Sequence, residues 1–250
     1  DLELEELTAF DFSYILRAPK LTARITAYHT AITNASEISF FFAEGIGGDT
    51  SSFVQEISQN IDKEHQGVEF GFEANVLPAL TLKGAASLGQ HLYANDPSVY
   101  LTSDDFGYLD FGNAKMKNLR IANGPQEAYS IGFEYRENYW WFGFTSNFFN
   151  HTYVDVSPIN RTQNFILESD GLPFNDYDPI LARELLQQEE FGEYMVSNIV
   201  LGKSWRINRN FLGFFLSINN LFNESFKTGG FEQSRNANFR ELRQEFSAPK

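Results

Sequence analysis

Apolar and polar residues alternate, position by position, over segments of about ten residues. From His65, one face reads His65, Gly67, Glu69, Gly71, Glu73, Asn75 and the other Val68, Phe70, Phe72, Ala74, Val76. In the next segment Leu80, Leu82, Ala86 and Leu88 oppose Thr81, Lys83, Ser87 and Gly89. Tyr129, Ile131, Phe133 and Tyr135 oppose Ser130, Gly132, Glu134 and Arg136. Trp140, Phe142, Phe144 and Phe148 oppose Gly143, Thr145 and Asn147, and Leu212, Phe214, Leu216 and Ile218 oppose Gly213, Ser217 and Asn219. Only Tyr194 to Trp205 mixes polar and apolar residues on both faces. A soluble strand is commonly about 5–6 residues long. A tilted membrane-spanning strand needs about 9–11. These lengths favour a membrane β-barrel over the rival, a soluble sandwich with one face in a core.

The connections are lopsided. Tight turns stand at Arg17–Lys20, Leu77–Ala79, Arg136–Asn138 and Ile207–Asn210. Long polar stretches lie between them, roughly 40–60, 94–124, 150–190 and 222 onward. Short and long take turns, as in membrane barrels with short turns on one side and long loops on the other. Tyr129, Tyr135, Trp140 and Trp141 are expected beside the short turns, as part of an interfacial aromatic girdle.

Composition removes other classes. A net charge of -14 repels phosphate backbones, so no nucleic-acid partner is expected. There are no cysteines, which excludes disulfides and thiol chemistry. Aromatic residues make up 16% of the chain, which suits half-apolar pleated surfaces. No run approaches the roughly 18 apolar residues of a membrane helix, a test that a barrel strand escapes.

Within the third long stretch, "DPILARELLQQEEF" predicts a short loop helix near 179–190, with Asp178 as N-cap and Pro179 at its first position. It is expected to cap the barrel mouth. The long loops are acidic. "SDDFGYLDFGN" joins Asp104, Asp105, Tyr108 and Asp110, and the third loop carries Asp176, Tyr177 and Asp178. These seven are candidate ligand-binding residues, set against the plainer reading of a solvated surface. Glu69, Glu73, Lys83, Glu134, Arg136 and Asn147 are the candidate lumen-facing group, contacting a plug or setting selectivity. The four histidines, His29, His65, His91 and His151, show no metal-site spacing, and neither a metal nor another cofactor is expected. No nucleophile elbow or P-loop occurs, so no enzymatic activity is expected.

Two segments resemble the C-terminal part of the barrel of TonB-dependent outer-membrane receptors. "HQGVEFGFEANVLPALTLKGAASLGQ" at His65 to Gln90 is similar to that family's strand, short turn and returning strand. "FLGFFLSINNLFNESFKTGGFEQSRN" at Phe211 to Asn236 is similar to its penultimate strand, ending in Asn219, Asn220, Leu221, Phe222 and Asn223. The resemblance implies an all-β, antiparallel, up-and-down transmembrane barrel with long extracellular loops. All 250 residues would form part of that single barrel domain. Such barrels have about 22 strands, of which this chain would supply about eight. The family's N-terminal plug, its TonB box and its closing strand have no counterpart here, so the chain is expected to be a fragment, with the closing strand missing after Pro249 and Lys250.

The implied function is active nutrient uptake across the outer membrane of a Gram-negative bacterium. The cargo would be an iron chelate, a cobalamin, a glycan or a peptide. Outer-membrane lipid, the TonB complex acting through the plug, and a surface lipoprotein are the implied partners. A passive porin or structural barrel is the rival, and a membrane hydrolase lacks a recognisable catalytic group.

Overall fold

The computed structural model describes residues 4–47, 50–122 and 124–247. Pro249 and Lys250, where the closing strand is expected to be missing, lie outside them. Twelve strands form: β1 (Glu6–Ala18), β2 (Leu21–Ile46), β3 (Thr50–Leu77), β4 (Leu80–Tyr93), β5 (Ser98–Ser103), β6 (Gly107–Asn113), β7 (Glu127–Glu137), β8 (Trp140–Asn150), β9 (Thr152–Tyr153), β10 (Glu190–Phe191), β11 (Tyr194–Ile207) and β12 (Asn210–Ile218). Helices α1 (Pro179–Leu185) and α2 (Phe239–Ser247) and two short 3-10 turns complete the described elements.

Eight strands pair in the order β1-β2-β3-β4-β7-β8-β11-β12, every pair antiparallel. The sheet is open: among the described residues, β1 and β12 pair along this path on one side only. It is a partial transmembrane barrel. The four tight turns all fall at one end, since each joins a descending strand to an ascending one. At the β7–β8 turn, Asn138 and Tyr139 both have positive φ, 50° and 63°. That is the mirror-image turn whose twist matches the flanking strands.

Register keeps the faces apart across the whole wall. Phe70 pairs Ala86, Ala86 pairs Tyr129, and Tyr129 pairs Phe148. Phe142 pairs Leu201, which pairs Leu216. Val68, Phe72, Leu80, Leu82, Phe144 and Phe214 share this outward face. Phe70 is 43% and Phe214 52% exposed, so they line no dry interior between two sheets. The sandwich is thereby excluded.

The mixed segment β11 is resolved by its neighbours. Ser197 faces outward, but it is buried and its Oγ meets Ser146 Oγ at 2.9 Å. Each hydroxyl satisfies the other away from water. Lys203 also faces outward, at the turn end. Its Nζ lies 4.8 Å from the Trp140 ring centre and donates to the Asn138 carbonyl at 2.8 Å. This is the snorkelling position of a cation at an interface.

Several expectations change. The stretch 40–60 is strand over most of its described residues, not a loop. It is the far half of the β2–β3 hairpin, which rises beyond the rest of the wall, and upper β3 pairs β5 there. The stretch 94–124 contains the β5–β6 hairpin. The loop helix ends at Leu185 rather than near 190, with Leu186 as its C-cap, and Glu190 and Phe191 pair with β9 instead. The last strand ends at Ile218, not Leu221. Tyr129 lies at the loop end of β7, and Trp141 faces inward on the register of Arg136 and Gly202, so only Tyr135 and Trp140 of the expected girdle sit outward at the turns.

The buried core lies above the wall, between the hairpin arm and the loops. Ile61, Tyr93, Val99 and Met116 form one cluster, Ile46, Val54, Leu101 and Ile159 a second, and Phe165, Phe174, Phe239 and Leu242 a third. Two left-handed asparagines, Asn34 (φ 59°) and Asn60 (φ 56°), stand where the β2–β3 register slips. A bulge flips the side-chain parity of a strand. Even-numbered Ser52, Val54, Glu56 and Ser58 therefore continue the inward face that odd-numbered Glu69 and Glu73 occupy lower down. Asn95 clamps this point, donating to the Asn60 carbonyl at 2.7 Å and accepting from the Asp62 N–H at 3.0 Å.

Candidate functional site: the charged lumen face and the capped chamber

All six expected lumen residues lie on the inward face of the wall. Lys83 Nζ meets Glu134 Oε1 at 2.8 Å and Glu73 Oε2 at 3.8 Å. Arg136 Nη2 meets Glu134 Oε2 at 3.1 Å, and its guanidinium lies 5.5 Å from the Trp141 ring centre. Glu73, Lys83, Glu134 and Arg136 thus form one ladder across three strands. Glu69 and Asn147 sit apart from it, around a shallow hollow of about 390 Å³ shared with Arg24 and Ser130. Arg24 is held there by Thr26 and Ser13, its Nε donating at 2.9 Å and its Nη2 at 3.0 Å.

The seven expected loop residues fall into two separate neighbourhoods. Asp104 and Asp105 form the β5–β6 tip, where Asp105 accepts from Ser52 Oγ at 2.5 Å. Tyr108 stacks on Tyr100 with ring centres 5.4 Å apart, and Asp110 accepts from the Gly112 N–H at 2.8 Å. Asp176, Tyr177 and Asp178 instead hold the two helices in place. Asp178 caps α1, accepting from Ile180 N at 2.8 Å and Leu181 N at 3.3 Å. Tyr177 packs edge-on to Phe239 at 5.0 Å. Asp176 pairs with Arg243 and, at 3.1 Å, with Arg240, and these guanidiniums hold its carboxyl below the ordinary carboxylate range.

The acidic third loop is therefore matched locally by cations from the C-terminal segment. Arg240 also reaches Glu168 at 2.8 Å, and Lys227 reaches Glu189 at 3.3 Å. At the centre of the cap lies Arg161, its side chain 4% exposed. It holds both oxygens of Glu232 and donates to the carbonyls of Ser157 and Leu186 at 3.1 and 3.0 Å.

Beneath this cap, against the inward face of the hairpin arm, is a chamber of about 340 Å³. Glu37, Ser39, Glu56 and Ser58 line it from the arm, Tyr93 from β4, and Asp155, Ser157, Phe231 and Glu232 from the cap. Glu56 is 4% exposed, although it lies far along β3 from the Pro78 turn, beyond the ten or so residues that span a membrane. Ser39 Oγ donates to its Oε1 at 3.3 Å, while its Oε2 has no hydrogen-bond partner. Burial, assisted by the Glu37 charge, raises the Glu56 carboxyl from its ordinary value to about 7, against hydrogen bonds from Ser39 and the Ile159 backbone. Burial and Glu37 also raise Asp155.

Sequence reasoning missed Glu56, which reads as an ordinary polar position in "SSFVQEISQN". It also missed the pair His65 and His91, whose Nδ1 atoms are 3.0 Å apart across β3 and β4. Helix α2 was missed too, although Asn238 with Glu241 three residues later is an N-terminal capping signal. Asn238 does accept from Glu241 N at 3.0 Å. Among the described residues, no group of three or more His, Cys, Asp or Glu side chains is placed to hold a metal ion.

No protein-family model matches the chain, and no curated sequence matches it significantly. Solved structures of transporters do. The copper transporter OprC is matched over 91% of this chain at 17% identity and a TM-score of 0.51. The toluene transporter TodX of P. putida is matched over 86% at 11% identity and a TM-score of 0.41. At such identity the likeness to OprC bears on fold alone. The chain spans 27% of the length of OprC and 54% of that of TodX.

Proposed function

We propose that this chain is wall and extracellular cap of a TonB-dependent uptake receptor in the outer membrane of a Gram-negative bacterium. The observation that carries the reading is the division of one continuous sheet into an apolar outward face and an inward ladder of paired charges. A water-filled channel needs no such neutralised ladder. A lumen packed against a globular plug does, because unpaired charges there would lose solvation. The loop end with its cap faces the cell exterior and the tight turns face the periplasm. Lipid covers the outward face, and the TonB complex acts through a plug supplied elsewhere in the protein. The cap residues Asp104, Asp105, Tyr108 and Asp110 are the surface that a ligand meets first, and a surface lipoprotein is the further partner of that side.

Planar-bilayer conductance of the intact protein tests the reading without knowledge of the cargo. A plugged receptor shows no stable open steps. Steady ohmic steps of open-channel size would overturn active uptake in favour of a passive porin.

A further inference from the structure

The capped chamber holds more negative charge than its own cations neutralise. Glu37, Glu56, Asp155 and Glu232 face it, with Lys63 and Arg161 nearby. Lys63 is already paired with Glu37, and Arg161 with Glu232. Glu56 and Asp155 are left as the surplus. Three buried polar atoms on the chamber's lining, Glu56 Oε2, Ser58 Oγ and Ser157 Oγ, have no hydrogen-bond partner. Buried polar groups are satisfied in the great majority of cases, so each such group calls for an explanation.

We infer that this chamber binds a small organic ammonium ion, with Glu56 as its counter-charge and the Ser58 and Ser157 hydroxyls as further acceptors. An ammonium group carries three N–H donors and no acceptor, which matches one carboxylate oxygen and two hydroxyl oxygens. A bare metal ion fits less well. Its donors must converge within about 2–2.6 Å, and among the described residues no three His, Cys, Asp or Glu side chains do so. The chamber, at about 340 Å³, also has room for a carbon skeleton, and Val156, Pro158 and Phe231 give it an apolar lining. An anion is excluded by the surplus charge.

The inference deepens the uptake reading by naming a cargo class. Equilibrium binding tests it separately from transport. Isothermal titration of the intact, detergent-purified protein with 1,4-diaminobutane, at about pH 8 where Glu56 is ionised, should give one saturable site. The neutral 1,4-butanediol should give none. Glu56→Gln should weaken the diamine about tenfold or more, the effect of losing a charged hydrogen bond. Asp155→Asn is the second variant should Glu56→Gln fail to fold, and it should weaken binding in the same direction. Heat-modifiability on a gel reports folding in each case. Towards about pH 5 the affinity should fall, as Glu56 takes up its proton in the company of Glu37, Tyr93, Asp155, Glu232, Lys63 and Arg161.

Absence of saturable diamine binding to the folded wild type would overturn the inference, leaving a chamber filled by water alone. So would unchanged affinity in both folded variants, or saturable binding of calcium chloride in place of the diamine. None of these results would alter the conductance outcome that decides uptake against a porin.

Discussion

Arg161 shows what one buried side chain does for the cap. Its guanidinium ties the 3-10 turn at Ile159–Arg161 to the neighbouring Ser157 and to Leu186 and Glu232, which are far away in sequence. Removing one partner of a buried pair leaves an uncompensated charge and costs about 3–5 kcal/mol. Arg161→Met should therefore loosen the cap, seen as faster protease cleavage of the 150–190 loop, while the heat-modifiable wall persists. Glu56 carries a pH signature of the opposite kind. Its folded-state carboxyl titrates near 7 against an ordinary value of 4.5. Between those two values the folded state binds more protons than the unfolded one, so cap stability falls as pH rises through that window and is level above it. The full drop is at most about 3 kcal/mol. Glu56→Gln should abolish this slope in protease-protection curves measured across the window. An unchanged slope would assign it to another group.

The strands of the wall were legible because a sheet with one apolar and one polar face imposes an unbroken two-residue period. Phe144 and Thr145 are neighbours on β8 that face opposite ways, by their pairing with Ile199 and Asn198. Phe144→Arg should impair assembly by about 2–4 kcal/mol, as a charge on the lipid face near the midplane does. Thr145→Arg, on the opposite face in a hollow that Glu134 also lines, should cost clearly less. Folding yield in lipid vesicles, read by the heat-modifiable band, separates the two. Equal loss in both would argue against the assigned faces. Helix α1 was equally legible, because Asp178 and Pro179 are local signals that act within one turn. The far half of the β2–β3 hairpin was not. Asn34 and Asn60 break its period at the bulges, so an alternating pattern reads as an irregular loop. Gly45 shows the tertiary constraint there: it has φ +78°, and a Cβ would fall 2.1 Å from Asn238 Nδ2, an atom contributed from the C-terminal segment.

Across the whole molecule, wall and cap are stabilised by different physics. The wall's large side chains point outward and stay exposed, a face that the proposed function assigns to lipid. The cap has a conventional buried core. Topology is the property that orients both, and cysteine labelling of intact cells tests it. Asp104→Cys, at the β5–β6 tip, should react with an impermeant maleimide, and Arg209→Cys, in the β11–β12 turn, should not. Reaction at Arg209→Cys alone would reverse the orientation. The class of fold, the eight wall strands, the placing of Glu69, Lys83 and Glu134 opposite the apolar face and helix α1 were all determined by local sequence, since alternation, turn chemistry and capping act over a few residues. The cap's architecture was decided only in three dimensions. Glu44 meets Arg235, Glu56 meets the 155–159 segment, and Arg161 meets Glu232, in each case across a separation that no periodicity encodes. The chamber exists only because a bulge at Asn60 turns Glu56 inward and the later loops close over it, burying a carboxyl that its own sequence neighbours would leave in water.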